Sequence, residues 1–235
     1  MFRHATLFLL FFLVAAGLLP GKITGAGLEQ RMSLLQKKYQ QLHSLEFDFF
    51  QTTQNGGRLK HGTGNAVFYR PAAAGTTVTM PAIMRWNYTG PTEQTIINDG
   101  ASLSIYTPED KQLLVSPTPD LESDITYAIF TGTKNLLDEF EATAGDPQLL
   151  LNAPPPDGEV VQLTPRKPHP QVKQVQIWVT GDHTIRRLLM EDHFGALTEL
   201  TFSKVRLNTL RPGDPQQIQK LRALDLAPGT EVIRQ

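Results

Sequence analysis

The side chains of this chain that could do chemistry are its six histidines and the acids next to them. Asp182-His183 and Asp192-His193 repeat an acid–histidine pair, the combination that fixes an imidazole for base catalysis or metal ligation. The two pairs bracket one extended segment, however. About ten residues at roughly 3.3 Å each hold them roughly 30 Å apart, at opposite ends of a strand. They cannot share a metal ion or a substrate, and each pair reads as a turn. Asp99, Glu109 and Asp110 also fall in turn sequences, where short acids bond the local backbone. The sequence has no Gly-x-Ser-x-Gly elbow, no His-Glu-x-x-His and no phosphate loop. It has no cysteine, which excludes disulfides, thiolate zinc sites, iron–sulfur clusters, a cysteine nucleophile and lipid attachment through an N-terminal cysteine. No catalytic residue, metal or cofactor is expected, and hence no enzyme.

The composition points the same way. The chain of 235 residues is 40% hydrophobic, enough for a core and too much for a disordered chain. Its 22 Lys+Arg against 23 Asp+Glu leave a formal charge of −1, which argues against a nucleic-acid partner. Residues 1–26 read as a secretory signal peptide: Arg3 in a short n-region, an uncharged apolar run from Ala5 to Leu19, the break at Pro20-Gly21, and small residues before Gly27. That run is short for a membrane span, which needs about 20 residues. Residues 27–235 are then a single exported domain.

The rest of the chain reads as one helix followed by many strands. Leu28, Met32, Leu35, Tyr39 and Leu42 make one face of an amphipathic helix. At Leu45, Phe47 and Phe49 the apolar period switches to two, so a strand begins. Asn55-Gly56-Gly57 turns into a second strand over 61–70. Further strands are expected over 76–88, 92–98, 103–106 and 112–115, joined by short loops as in an antiparallel meander. After Pro117 and Pro119, Asp120 can cap a helix with Leu121, Ile125, Ala128 and Ile129, and 135–142 can form a second short helix. Short helices depend on docking, so this segment is a candidate lid. Beyond Pro154-Pro155-Pro156 four more strands are expected over 159–164, 171–180, 185–191 and 197–207. A short helix at 216–223 and an extended piece through Val232 follow. The fold class is α+β: a curved antiparallel half-barrel sheet of about ten or eleven strands. The N-terminal helix and the short lid helices cover it and enclose a hydrophobic cavity.

The chain resembles the LolA family of periplasmic lipoprotein carriers. The resemblance is carried by Ser44-Leu45-Glu46-Phe47-Asp48-Phe49-Phe50-Gln51, Gly62-Thr63-Gly64, Tyr69-Arg70-Pro71 and Met84-Arg85-Trp86-Asn87-Tyr88. It continues through Pro91 with Gln94, Ile96-Ile97-Asn98-Asp99-Gly100, Ile105-Tyr106 and Leu163-Thr164-Pro165, and ends at Leu226-Ala227-Pro228-Gly229-Thr230-Glu231-Val232. It implies a periplasmic chaperone that holds the acyl chains of lipoproteins. It also implies loading by an inner-membrane LolCDE-like ABC complex and delivery to an outer-membrane, LolB-like acceptor. A monomer is expected. Phe47, Phe49, Trp86, Tyr88, Leu103, Ile105, Ile129, Phe130, Leu136 and Leu137 are the expected acyl-chain and lid contacts. The family also implies an arginine before a proline at the end of the second strand, bonded to lid backbone and holding the empty form closed. Arg70 fits by its distance from Gly62-x-Gly64, whereas Met80 fits by its distance from Trp86. The alternative role on the same fold is a lipid- or lipoprotein-sensing regulator resembling RseB and MucB, and the alternative for Arg70 is a surface position at a hairpin end.

Overall fold

A computed structural model describes residues 25–70, 82–117, 125–131, 135–153 and 158–235. The apolar run of the signal segment, the first part of the expected third strand, Met80, the Asp120 cap, Gly132 and Pro154 to Pro156 lie outside the described residues.

Helix α1 (Gly25–Gln40) precedes six strands: β1 (Ser44–Asn55), β2 (Arg58–Tyr69), β3 (Ile83–Gly90), β4 (Gln94–Asn98), β5 (Ser102–Thr107) and β6 (Gln112–Pro117). The short helices α2 (Ile125–Thr131) and α3 (Leu136–Glu139) follow. Then come β7 (Phe140–Ala144), β8 (Glu159–Pro165), β9 (Gln174–Val179), β10 (Ile185–Glu191), β11 (Leu197–Leu207), α4 (Pro215–Arg222) and β12 (Glu231–Arg234). All twelve strands form one sheet in the order β12-β6-β5-β4-β3-β2-β1-β11-β10-β9-β8-β7. A sheet this wide must curl, because each strand adds to the twist. The result is the expected α+β architecture, a large open curved sheet with few helices.

Three expectations are corrected. The sheet has twelve described strands rather than ten or eleven. The expected extended C-terminal piece is present as β12, but the sheet is not antiparallel throughout, because β12 pairs in parallel with β6, with Glu231 opposite Gln112 and Arg234 opposite Val115. The helix expected over 135–142 ends at Glu139, because Phe140 to Ala144 pairs with Pro165 to Val161 as an edge strand. Local propensity favoured more helix there. The unpaired edge of β8 offers five residues of ladder, and pairing outweighs propensity.

The two faces of the sheet do different work. The concave face carries the main core, with α1 laid over β8–β10. Its Leu28, Met32, Leu35 and Tyr39 are buried. Tyr39 Oη accepts the Ile185 amide at 2.9 Å, and Arg31 pairs with Glu159 at 2.7 Å. At the C-terminal end of α1, Lys38 Nζ reaches Thr184 Oγ1 at 2.7 Å and the Asp182 backbone carbonyl at 2.8 Å. The Thr180 and Thr184 hydroxyls, with help from Lys38, hold the Asp182 carboxyl well below the ordinary carboxylate range. Asp182-His183 is therefore a turn that seats α1. Asp192 likewise caps its own turn through the Phe194 and Ala196 amides. β10 separates the two turns, as their spacing requires.

The convex face has two covers. α4, capped by Asp214 and begun by Pro215, packs Leu221 against Tyr69, Ile83 and Ile97. Arg85 Nη1 closes its C-terminus by donating to the Leu221 and Ala223 carbonyls at 3.1 and 2.7 Å. The second cover is a strap, residues 145–153, over β9–β11. Gln176 Oε1 accepts the Asp146 amide at 2.7 Å, Glu199 accepts the Leu151 amide at 2.8 Å and Asn152 Nδ2 at 2.7 Å, and Arg187 Nη2 donates to the Ala153 carbonyl at 2.7 Å. Beneath the strap, Arg187 and Glu199 form a buried ion pair at 3.3 Å with side chains 4% and 0% exposed. No described helix is long and apolar enough to cross a membrane.

Candidate functional site

The concave face of β1, β2, β3 and β11 is a floor of aromatic rings. Alternation along β1 turns Phe47 and Phe49 inward. Phe47 meets Phe202 at a centroid distance of 4.6 Å, and Phe49 meets Trp86 and Tyr88 at 4.9 Å each. The Gly62-Thr63-Gly64 motif makes room for this floor. A Cβ on Gly64 would stand 2.0 Å from the Asn87 carbonyl oxygen and 2.9 Å from the Phe49 ring, and one on Gly62 would stand 3.3 Å from the Tyr88 ring. Any larger residue at 64 would push β2 off β3.

Helix α2 forms the roof. Phe130 descends between three floor rings, at 5.3 Å from Phe47 and 5.2 Å from Phe68 and Phe202, with Tyr39 of α1 at 6.2 Å. Ile125, Tyr127, Ala128 and Ile129 are buried beside it. A seven-residue helix has no stability of its own, so α2 stays folded through these contacts. Helix α3 is tied down more locally. Asn135 caps it, Gln36 Oε1 accepts the Leu136 amide at 2.9 Å, and Arg166 Nε donates to the Leu137 carbonyl at 3.0 Å. A crevice beside the roof, lined by Leu42, Phe68, Tyr69, Arg70 and Phe130 among others, has a volume of ≈ 10 Å³. That is room for about one water.

Of the ten expected contacts, Phe47, Phe49, Trp86, Ile129, Phe130 and Leu136 are buried in this one cluster, and Tyr88 and Leu137 pack against it. Leu103 and Ile105 are half-buried on β5. Register carries the same concave row outward, since Trp86 faces Ile96 and Ile96 faces Ile105. Phe68 and Phe202 were not expected. Their signal is the alternation Ala66, Phe68 on β2 and Leu200, Phe202 on β11.

Arg70 follows the last residue of β2. Its amide donates to the His43 carbonyl at 2.8 Å, and Nη1 donates to the Gln40 carbonyl at 2.8 Å. The guanidinium thus holds the C-terminus of α1, where unpaired carbonyls concentrate negative potential. Burial lowers its pKa from the ordinary value, and Tyr127 of α2 acts on it in the opposite sense. Arg70 therefore stands between α1 and the roof helix.

Along the concave face the chemistry grades from apolar to polar. On β1 the inward row runs Phe47, Phe49, Gln51, Thr53. On β3 it runs Trp86, Tyr88, with Tyr88 Oη donating to Gln51 Oε1 at 2.9 Å. Two adjoining clefts open at this end, with volumes of ≈ 300 and ≈ 560 Å³. Among the described residues no group of three or more His, Cys, Asp or Glu is placed to hold a metal ion.

Sequence comparison agrees with this geometry. The family profile described as outer membrane lipoprotein carrier protein LolA matches residues 40–213. An outer-membrane lipoprotein carrier protein of Chromohalobacter salexigens is 25% identical over 215 residues, covering 89% of this chain and 87% of that protein. One of Yersinia enterocolitica is 27% identical over 201 residues, covering 80% and 84%. A solved structure of an uncharacterised conserved protein from Thermus thermophilus shares the fold at 11% identity with a TM-score of 0.50, covering 88% of this chain and 99% of that one.

Proposed function

We propose, because this chain belongs to the LolA family of outer membrane lipoprotein carrier proteins, that it is a periplasmic carrier that shields the acyl chains of a lipoprotein between its aromatic floor and the α2 roof. It would accept cargo released by an inner-membrane ABC complex and hand it to an outer-membrane acceptor. No catalytic step is part of this reading. The observation that carries it is the construction of the roof. Phe130 and its neighbours are buried against the floor from a helix that shares no strand pairing with the sheet. An acyl chain gains about 0.8 kcal/mol per methylene removed from water. A few such chains offer ample free energy to displace one docked helix, while the sheet stays paired.

The test is transfer. Mature protein is mixed with membranes that hold a labelled lipoprotein, the releasing complex and ATP, and the membranes are then removed. Label is expected in the soluble fraction bound to this protein. Label that stays wholly with the membranes would overturn the reading.

In the same reading Arg70 is the latch. Its described guanidinium bond goes to the Gln40 carbonyl of α1 rather than to lid backbone. Replacing it with Leu removes both that charge-assisted bond, a kind that contributes about 1.5–3 kcal/mol when shielded, and the cation near Tyr127 of α2. Arg70 is only half-buried, so the lower end applies. Amide exchange in 125–131 is expected to speed up about tenfold, with Arg70→Lys intermediate. Unchanged exchange there would reduce Arg70 to a cap on α1.

A further inference from the structure

Some of the polar end of the concave face has no part in the aromatic floor. Arg58 and Lys60 lie on the inward row of β2, opposite Asn55 and Thr53. Both are exposed, and among the described residues neither takes part in an ion pair. They line the two clefts together with Gln51, Thr53 and Tyr88, and among the described residues no carboxylate lines either one. Glu93, between the cleft residues Thr92 and Gln94, is exposed in the β3–β4 turn. His61 at the rim is engaged with Thr52, its Nδ1 3.1 Å from the hydroxyl.

The spacing matters as much as the charge. Gly62 faces the Tyr88 ring, and Lys60 and Arg58 follow at steps of about 7 Å along the strand. One straight path leads from Trp86 and Phe49, past the Tyr88 hydroxyl and the Gln51 amide, to two uncompensated cations. An amphiphile laid along it would put its chain on the rings and its head within reach of Lys60 and Arg58.

We propose that this end of the face is a head-group site in which Lys60 and Arg58 take the phosphate or carboxylate of an anionic amphiphile whose chain lies on the aromatic floor. The site rests on the carrier reading and adds a preference for negatively charged cargo at the glycerol or peptide end. Both cations are solvent-exposed, so the preference is modest and sensitive to salt.

Dodecyl phosphate and dodecyl maltoside, each below its micelle concentration, separate charge from chain. Titrated into the mature protein at low salt, the phosphate is expected to bind about fivefold more tightly relative to the maltoside than it does in the Arg58→Gln/Lys60→Gln variant. The maltoside affinity should be the same in both proteins. The difference should collapse at high salt, and inorganic phosphate at the same concentration should not compete. An unchanged ratio in the variant overturns the head-group site and leaves the carrier reading intact. Competition by inorganic phosphate overturns it in favour of a free-anion site. Failure of both amphiphiles to bind overturns the site and the carrier reading together.

Discussion

Arg187→Met is expected to lower the thermal midpoint by about 10 °C. The substitution leaves Glu199 fully buried with no cation beside it. Stripping one partner from a buried ion pair costs about 3–5 kcal/mol. A domain of this size loses about 2–4 °C per kcal/mol. Glu199 would keep its bonds from the Leu151 amide and Asn152, but both are neutral donors and do not replace a guanidinium. The strap also loses its tie from Arg187 to Ala153, so amide exchange over 145–153 should quicken. The double replacement Arg187→Met/Glu199→Gln should regain part of the midpoint. The Gln side chain keeps an acceptor for the Leu151 amide and removes the buried charge that the single change strands. A single variant that melts within a degree or two of the parent would mean that the pair is incidental to the strap.

Phe130→Ala should separate stability from function. Removing a core phenylalanine ordinarily costs about 3–5 kcal/mol. Here the loss is capped, because α2 can undock before the sheet unfolds. The midpoint is therefore expected to fall less than for Arg187→Met. Binding should respond in the other direction. If the roof must leave before an acyl chain enters, apparent affinity is the intrinsic affinity reduced by the open fraction. Weakening the roof by about 1.4–2.8 kcal/mol raises that fraction roughly ten- to a hundredfold. Titration with a neutral amphiphile should show the rise. An affinity that stays level, with the full core cost appearing in the midpoint, would make Phe130 ordinary core and α2 no roof.

The aromatic floor was legible in the sequence because alternation is a local code. Phe47 and Phe49 on one strand and Trp86 and Tyr88 on another announce an inward row without knowledge of the partner strand. The rings that complete the floor, Phe68 and Phe202, follow the same rule on strands where no motif drew attention to them. The histidine pairs were settled by distance alone, since a strand of known rise keeps its two ends apart. Arg70 was visible as a residue, but its partner was not. Which carbonyl it meets depends on where the end of α1 lies over the sheet.

Local order of residues thus determined that this is a long antiparallel sheet with one leading helix, short helices midway and an inward apolar row, because side-chain period and turn chemistry act over a few residues. Tertiary structure alone decided that Phe140 to Ala144 is a strand, that β12 runs parallel to β6, that Arg187 and Glu199 meet beneath a strap, and that Lys60 and Arg58 lie together at the polar end of the face. Each of these depends on contacts between segments far apart in the chain. No local pattern encodes such a contact, because the free energy that selects it exists only once both segments are in place.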